Sequence, residues 1–197
     1  LLPLPADYDA NVMKEIPLLL HVCCGPCACG CLDPVLETGR RVILYFSNSN
    51  LNSQAEYERR LEAAQIAAKH WNAELLADAW DHDGWLESLK SIPDFGACPE
   101  RGLRCGGCFH WQLARTAEKA AELGCNFTTT LTVSPYKNTA MIHEIGRGWA
   151  NFEAWDFKKN GGYARSKAIS RDLGIYRQDY CGCEFSLRDR LAAEQKE

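Results

Sequence analysis

Three short apolar runs in the first eighty residues constrain the fold most. "IPLLLHVC" (Ile16–Cys23) and "RRVILYFSNSN" each have the length and the aliphatic or β-branched content of a buried strand, and "AELLADAW" reads as a third strand. Between the second and third stands "SQAEYERRLEAAQIAAKHW", an amphipathic helix. Ser53 is placed to cap it with Glu56 three residues on, and Tyr57, Leu61, Ala64 and Ala68 share one face. A helix running through "DPVLETG" and stopping at Gly39 is expected between the first and second runs. This strand–helix–strand–helix–strand order implies an α/β fold with an open parallel sheet and right-handed crossovers. Such sheets bind ligands beyond the carboxyl ends of their strands.

The rest of the chain extends this pattern less regularly. Helices are expected from about Asp83 to Lys90 and from Phe109 to Leu123, with a fourth strand through "NFTTTLTVSP". After Met141 comes an irregular C-terminal segment, "NFEAWDFKKNGGYARSKAIS", whose glycines are expected to prevent a regular buried element. Short helices are expected near Ser166–Leu173 and Leu187–Gln195. With 46% hydrophobic and 24% charged residues, residues 17–197 read as one α/β domain preceded by a loose arm over 1–16. That arm lacks the pattern of a signal peptide, and no apolar run is long enough to span a membrane.

Eleven cysteines then narrow the chemistry. "LHVCCGPCACGC" places Cys23, Cys24, Cys27, Cys29 and Cys31 just past the first strand, where such a sheet puts its site. An odd count, no secretory signal and adjacent, CxxC and CxC spacings argue for metal or redox chemistry in the cytoplasm, where thiols stay reduced, over a disulfide scaffold. Cys105 and Cys108 form a CxxC around Gly106-Gly107, expected to let the backbone approach a metal. Adjacent residues of an extended strand point to opposite faces, so Cys23-Cys24 makes a poor zinc knuckle. An iron–sulfur cluster accepts thiolates from more divergent directions, and the spacing favours it while leaving zinc open. Cys181 and Cys183 could close a labile disulfide or add two ligands. Cys27 reads as a further ligand or redox thiol, and Cys125 as a small buried hydrophobe. Cys29, Cys31 and Cys98 have no assigned role.

Taken in order, "LHVCCGPC", "RCGGCFHWQL", "TTTLTVSPYKN" and "IYRQDYCGCEFS" resemble the motifs of the QueH type of epoxyqueuosine reductase over about Pro17 to Ser186. The resemblance implies a sheet of the HUP-like (adenine-nucleotide α-hydrolase-like) type. It also implies reduction of epoxyqueuosine to queuosine at the wobble position of tRNA, the last step in making that base. Carried over, it makes Cys23, Cys24, Cys105 and Cys108 the ligands of a [4Fe–4S] cluster, and Cys181 and Cys183 a redox-active pair. A second, mononuclear metal, iron or zinc, is implied nearby, with Cys27 and Asp33 as candidate ligands. "CACGC" departs from the family by adding Cys29 and Cys31. Similar sheets in tRNA-thiolating enzymes carry a Ser-Gly-Gly-x-Asp-Ser pyrophosphate loop where this chain has "CCGPCA". The proline removes a backbone N–H from any phosphate cradle, so ATP binding is not expected.

Removing an epoxide oxygen takes two electrons, so an external electron donor is implied. The net charge is −4, yet residues 137–190 are net basic. Lys137, Lys158, Lys159, Arg165, Lys167 and Arg177 are candidates for the tRNA backbone, with Tyr136, Trp155, Phe157, Tyr163 and Tyr176 interleaved for stacking on loop bases. His21, Tyr180 and Glu184 adjoin the key cysteines, but His21 reads as a structural strand histidine. A zinc-stabilised nucleic-acid-binding module without catalysis is the alternative, and a thiol oxidoreductase with CxxC at a helix start is a third reading.

Overall fold

In the computed structural model, which describes residues 16–195, the three apolar runs become β1 (Leu18–His21), β2 (Val42–Phe46) and β3 (Glu74–Ala77). They are joined by α1 (Gly25–Leu36) and α2 (Gln54–His70). β4 (Asn126–Thr129) pairs with the free side of β1, giving an all-parallel sheet in the order β3-β2-β1-β4. This is the open parallel sheet that the strand order implied, and it is consistent with the HUP-like type that the resemblance implied. The arm expected over residues 1–16 lies, apart from Ile16, outside the described residues.

Alternation along β1 divides the core. Leu18, Leu20 and Val22 pack with Leu44, Phe46 and the inner faces of α1 and α2. Leu19 faces the opposite way, joining Ile43, Tyr45 and Phe127 under α4 (Leu103–Leu123) and α5 (Thr139–Gly146). Ser53 caps α2 as expected, its Oγ accepting the Glu56 N–H at 3.2 Å. His21 is fully buried, its Nδ1 2.8 Å from Thr129 Oγ1 and its Nε2 3.1 Å from the Ser47 carbonyl. It ties the carboxyl ends of β1, β2 and β4 together, and burial lowers its pKa. Because the chain turns to β2 on one side of β1 and to β4 on the other, the loop after β1 sits at the topological switch point.

Several expectations about the later chain are corrected. β4 stops at Thr129, and Thr130–Val133 form a 3-10 turn because Thr129 Oγ1 accepts the Leu131 N–H at 3.1 Å. α4 begins at Leu103, so the CxxC lies inside the helix and not before it. Gly107 owes its place to packing: a Cβ there would lie 2.7 Å from Ile92 Cδ1, just beyond α3 (His82–Leu89). The unforeseen α5 is capped by Asn138, whose Oδ1 accepts the Met141 N–H at 3.2 Å.

A further correction concerns "KKNGGYARSK". Its glycines do not prevent a regular buried element; they permit one, α6 (Gly162–Asp172), which crosses α1 closely. Ser166 Oγ donates to the Pro26 carbonyl at 2.5 Å, and Arg165 Nη2 donates to the Gly30 carbonyl at 3.2 Å. The last helix, α7 (Glu184–Glu194), starts three residues earlier than expected because Cys183 caps it. Among the described residues, no helix is long and apolar enough to cross a membrane.

Candidate active site

The cysteine loop leaves the carboxyl end of β1 and enters α1 at once. Cys24 is the N-cap of α1, in extended conformation, and its Sγ accepts the Cys27 N–H at 3.4 Å. The Sγ atoms of Cys23, Cys24 and Cys27 all lie within 4.8 Å of one another, a site able to bind a metal ion. The expectation that Cys23 and Cys24 diverge is thereby overturned. Side-chain alternation holds only within a strand, and β1 ends at His21. Thiolates around one tetrahedral ion at 2.3 Å stand about 3.8 Å apart, so this triad alone has nearly the spacing of a single-metal site.

A second thiol group faces the first. Cys105 and Cys108 occupy the opening turns of α4, three residues apart and so on one side of the helix. Cys181 and Cys183 come from the loop before α7. One cavity of about 580 Å³ is lined by Cys24, Cys27, Cys105, Cys108, Cys181 and Cys183, with Cys23 buried beside Cys24. All eleven cysteines are free thiols.

Burial raises the pKa of most of these thiols, but several sulfurs accept hydrogen bonds that partly offset it. Thr130 Oγ1 donates to Cys23 Sγ at 3.4 Å, the Arg101 N–H to Cys105 Sγ at 3.2 Å, and Gln112 Nε2 to Cys108 Sγ at 3.2 Å. The Ser186 N–H donates to Cys183 Sγ at 3.5 Å. The buried Trp85 indole N–H faces Cys108. Hydrogen bonds of this kind tune thiolate ligands and cluster sulfur. The thiols of Cys23 and Cys27 beside it hold Cys24 well below the usual thiol range. Burial pushes Cys105 up to about 11, whereas a thiol-exchange CxxC has a lowered pKa, which weighs against a general oxidoreductase. Burial opposes the charge of Lys137, but the facing thiols of Cys181, Cys23, Cys27 and Cys24 outweigh it and push its pKa up. This donor set suits a thiolate-bound metal or cluster.

Other residues singled out in the sequence are scattered. Asp33 is not brought to the cysteines: it lies toward the far end of α1, where its Oδ1 accepts the Trp71 indole N–H at 2.7 Å. Lys137 is turned to the cavity. Lys158 Nζ donates to the Lys137 carbonyl at 3.0 Å, and Arg165 serves the backbone of Gly30. Lys159, Lys167 and Arg177 are exposed. Phe157 is core, stacked on Trp155, and the Tyr176 hydroxyl is bonded to Glu56. Cys29 and Cys31 are fully buried within α1, and Cys125 is buried as expected.

One rim of the cavity is aromatic and cationic. Tyr136, 60% exposed, meets Tyr163 edge-on at 6.4 Å. The Arg101 guanidinium lies 5.7 Å from the Tyr136 ring centre, and Lys167 Nζ lies 5.8 Å from that of Tyr163. Arg101, Thr130, Gln112 and Trp85 were not foreseen. Only the left-handed backbone of Arg101 (φ 71°) is unusual for its residue type, and no sequence signal marks the others.

Residues 18–189 match the family model described as epoxyqueuosine reductase QueH. A protein of that name from Streptococcus pyogenes serotype M1 is 35% identical over 87% of this chain and 70% of its own length. Counterparts from Thermotoga maritima and Acinetobacter baylyi are each 36% identical, over 88% and 87% of this chain and 91% and 81% of theirs.

Proposed function

The chain belongs to the epoxyqueuosine reductase QueH family, and from that premise we propose that it reduces epoxyqueuosine to queuosine at the wobble position of tRNA in the cytoplasm. The observation that carries this reading beyond the family likeness is the single cavity lined by six thiols. Epoxide removal breaks two C–O bonds, leaves an alkene, and releases the oxygen as water at the expense of two electrons and two protons. Two thiols becoming one disulfide supply both, and we assign that role to Cys181 and Cys183, with an external electron donor restoring the dithiol. A [4Fe–4S] cluster on Cys23, Cys24, Cys105 and Cys108 supplies one-electron chemistry when bound. Cys27 is read as a ligand of a second, mononuclear metal, iron or zinc. Asp33, bonded to Trp71, has no part in that set. Lys137 Nζ holds its proton among the thiols and offsets the negative charge that they gather.

The Tyr136–Tyr163 rim suits an unpaired base entering from the anticodon loop, with Arg101, Lys167 and Arg177 toward the backbone. Tyr136→Ala is expected to weaken binding of an anticodon stem-loop RNA by about 5- to 150-fold, since base stacking on an aromatic contributes about 1–3 kcal/mol. Fluorescence anisotropy measures it, and an unchanged affinity contradicts the stacking role.

Protein purified without oxygen tests the metal assignment. About four irons and four sulfides per chain, with visible colour, are expected beyond any mononuclear metal. One zinc, no sulfide and no colour would replace the cluster with a zinc-stabilised binding module.

A further inference from the structure

Arg60 sits in the middle of α2, within "YERRLE", a stretch that looks like an ordinary solvated helix face. Its side chain is nevertheless 2% exposed. Nε donates to Glu56 Oε1 at 2.7 Å, and Glu56 is itself only 7% exposed. The other end of the guanidinium points away from α2 and into the loop that carries the CxC pair. Nη1 donates to the Cys181 carbonyl at 2.8 Å and Nη2 to the Tyr180 carbonyl at 3.5 Å, while the group lies 5.2 Å from the centre of the Tyr180 ring.

Further contacts fix the same few atoms. The Asn52 N–H donates to the Gly182 carbonyl at 3.0 Å, and the Tyr180 hydroxyl donates to Asn52 Oδ1 at 2.9 Å. The Gly182 N–H donates to Ser186 Oγ at 3.2 Å. Gly182 has φ 133°, and a Cβ on it would lie 2.9 Å from Arg60 Nη1 and 2.5 Å from Leu51 Cδ2. The residue between the two cysteines therefore rests directly on the guanidinium. The carboxylate end is anchored as well, since the Tyr176 hydroxyl donates to Glu56 at 3.2 Å.

Burying such a pair costs several kcal/mol in lost hydration, and an apolar pair of like volume is often as stable. Stability alone gives α2 little reason to keep it. What an apolar pair cannot do is hold two carbonyls of the CxC loop and place a fixed positive charge beside Cys181. The charge is felt there: burial opposes it, but Cys24, Glu56 and Cys181 push the Arg60 pKa up.

We propose that Arg60 is a positioning residue for the Cys181–Cys183 pair, fixing the loop through the Cys181 carbonyl and stabilising the dithiol form against the disulfide. This rests on the reading of that pair as redox-active. The sign follows from charge: a neighbouring cation favours thiolate, hence the reduced form, hence a higher reduction potential. The reaction in question is the two-electron, two-proton exchange between the pair and glutathione, in which one disulfide forms as the other is reduced.

The test uses full-length protein with its metal bound, equilibrated without oxygen in glutathione buffers of graded ratio. The thiols are then trapped, and the peptide holding residues 181–183 is quantified by mass. Glu56→Gln/Arg60→Met removes both charges together and leaves no buried carboxylate unpaired, and a thermal melt checks that the variant is folded. It is expected to shift the dithiol–disulfide equilibrium about tenfold toward disulfide, about 30 mV for a two-electron couple. Arg60→Lys, keeping the charge, is expected to recover most of that shift. A folded double variant with the wild-type equilibrium overturns the inference alone. A wild-type pair that never forms the disulfide overturns the inference together with the redox reading beneath it.

Discussion

Cys24→Ser is expected to empty the metal centre while leaving the fold intact. Cys24 has two separable roles, as N-cap of α1 and as the lowered-pKa thiol of the Cys23–Cys24–Cys27 triad. Serine is among the best N-cap residues and its oxygen can accept the Cys27 N–H in place of sulfur. It cannot serve as a soft thiolate ligand at neutral pH. Changes outside the ligand sphere already lower metal affinity by about 10- to 100-fold. Loss of a ligand in the most closely gathered thiol group is expected to exceed that range and to remove measurable turnover. Iron and sulfide per chain, read beside a thermal melt, separate the two roles. Wild-type iron content in the variant would sink the ligand assignment, and a collapsed melt would show that the cap had been underrated.

The second large effect is on stability and lies away from the thiols. Gly162→Ala is expected to destabilise the protein by about 2–4 kcal/mol, at the upper end of what overpacking costs. A Cβ at Gly162 would sit 1.8 Å from the Phe157 carbonyl oxygen, which is backbone and has nowhere to go. The facing position is equally tight: a Cβ at Gly30 would lie 2.7 Å from the Gly162 carbonyl oxygen. This crossing of α6 over α1 seats Ser166 on the Pro26 carbonyl, one residue from Cys27, so strain here reaches the cavity. For a chain of this length the melting temperature should fall by roughly 5–15 °C, at about 2–4 °C per kcal/mol. Gly161→Ala is the control. Its φ is 74° but a Cβ there meets nothing, so only the left-handed backbone cost of about 1 kcal/mol applies. Equal effects at the two positions would contradict the packing argument.

The first half of the fold was legible because strand and helix periods agree with one another there. β1, β2, β3 and α2 each carry an unambiguous pattern, and their order alone put Cys23 and Cys24 at the carboxyl edge of the sheet. Glycine misled the reading later on. Gly106-Gly107 and Gly161-Gly162 have low helix propensity, yet both pairs adjoin or enter helices, and packing needs a missing Cβ at Gly107 and at Gly162. Charge misled it as well. Lys137 belongs to a basic stretch that suits phosphate, but its ammonium group answers to thiols. Arg60 was invisible because the partners that bury it come from a loop some 120 residues away. Cysteine spacing survived best, since CxxC keeps both sulfurs on one side whether it lies in a loop or a helix turn.

The central claim is tested most directly by incubating the metal-loaded protein, without oxygen and with a low-potential reductant, with tRNA that carries epoxyqueuosine. Mass spectrometry of the released nucleosides gives the result. Conversion to a species lighter by one oxygen, over many turnovers and lost in Cys181→Ser/Cys183→Ser, is the predicted outcome. Unchanged epoxyqueuosine after incubation with fully loaded, folded protein would contradict the account.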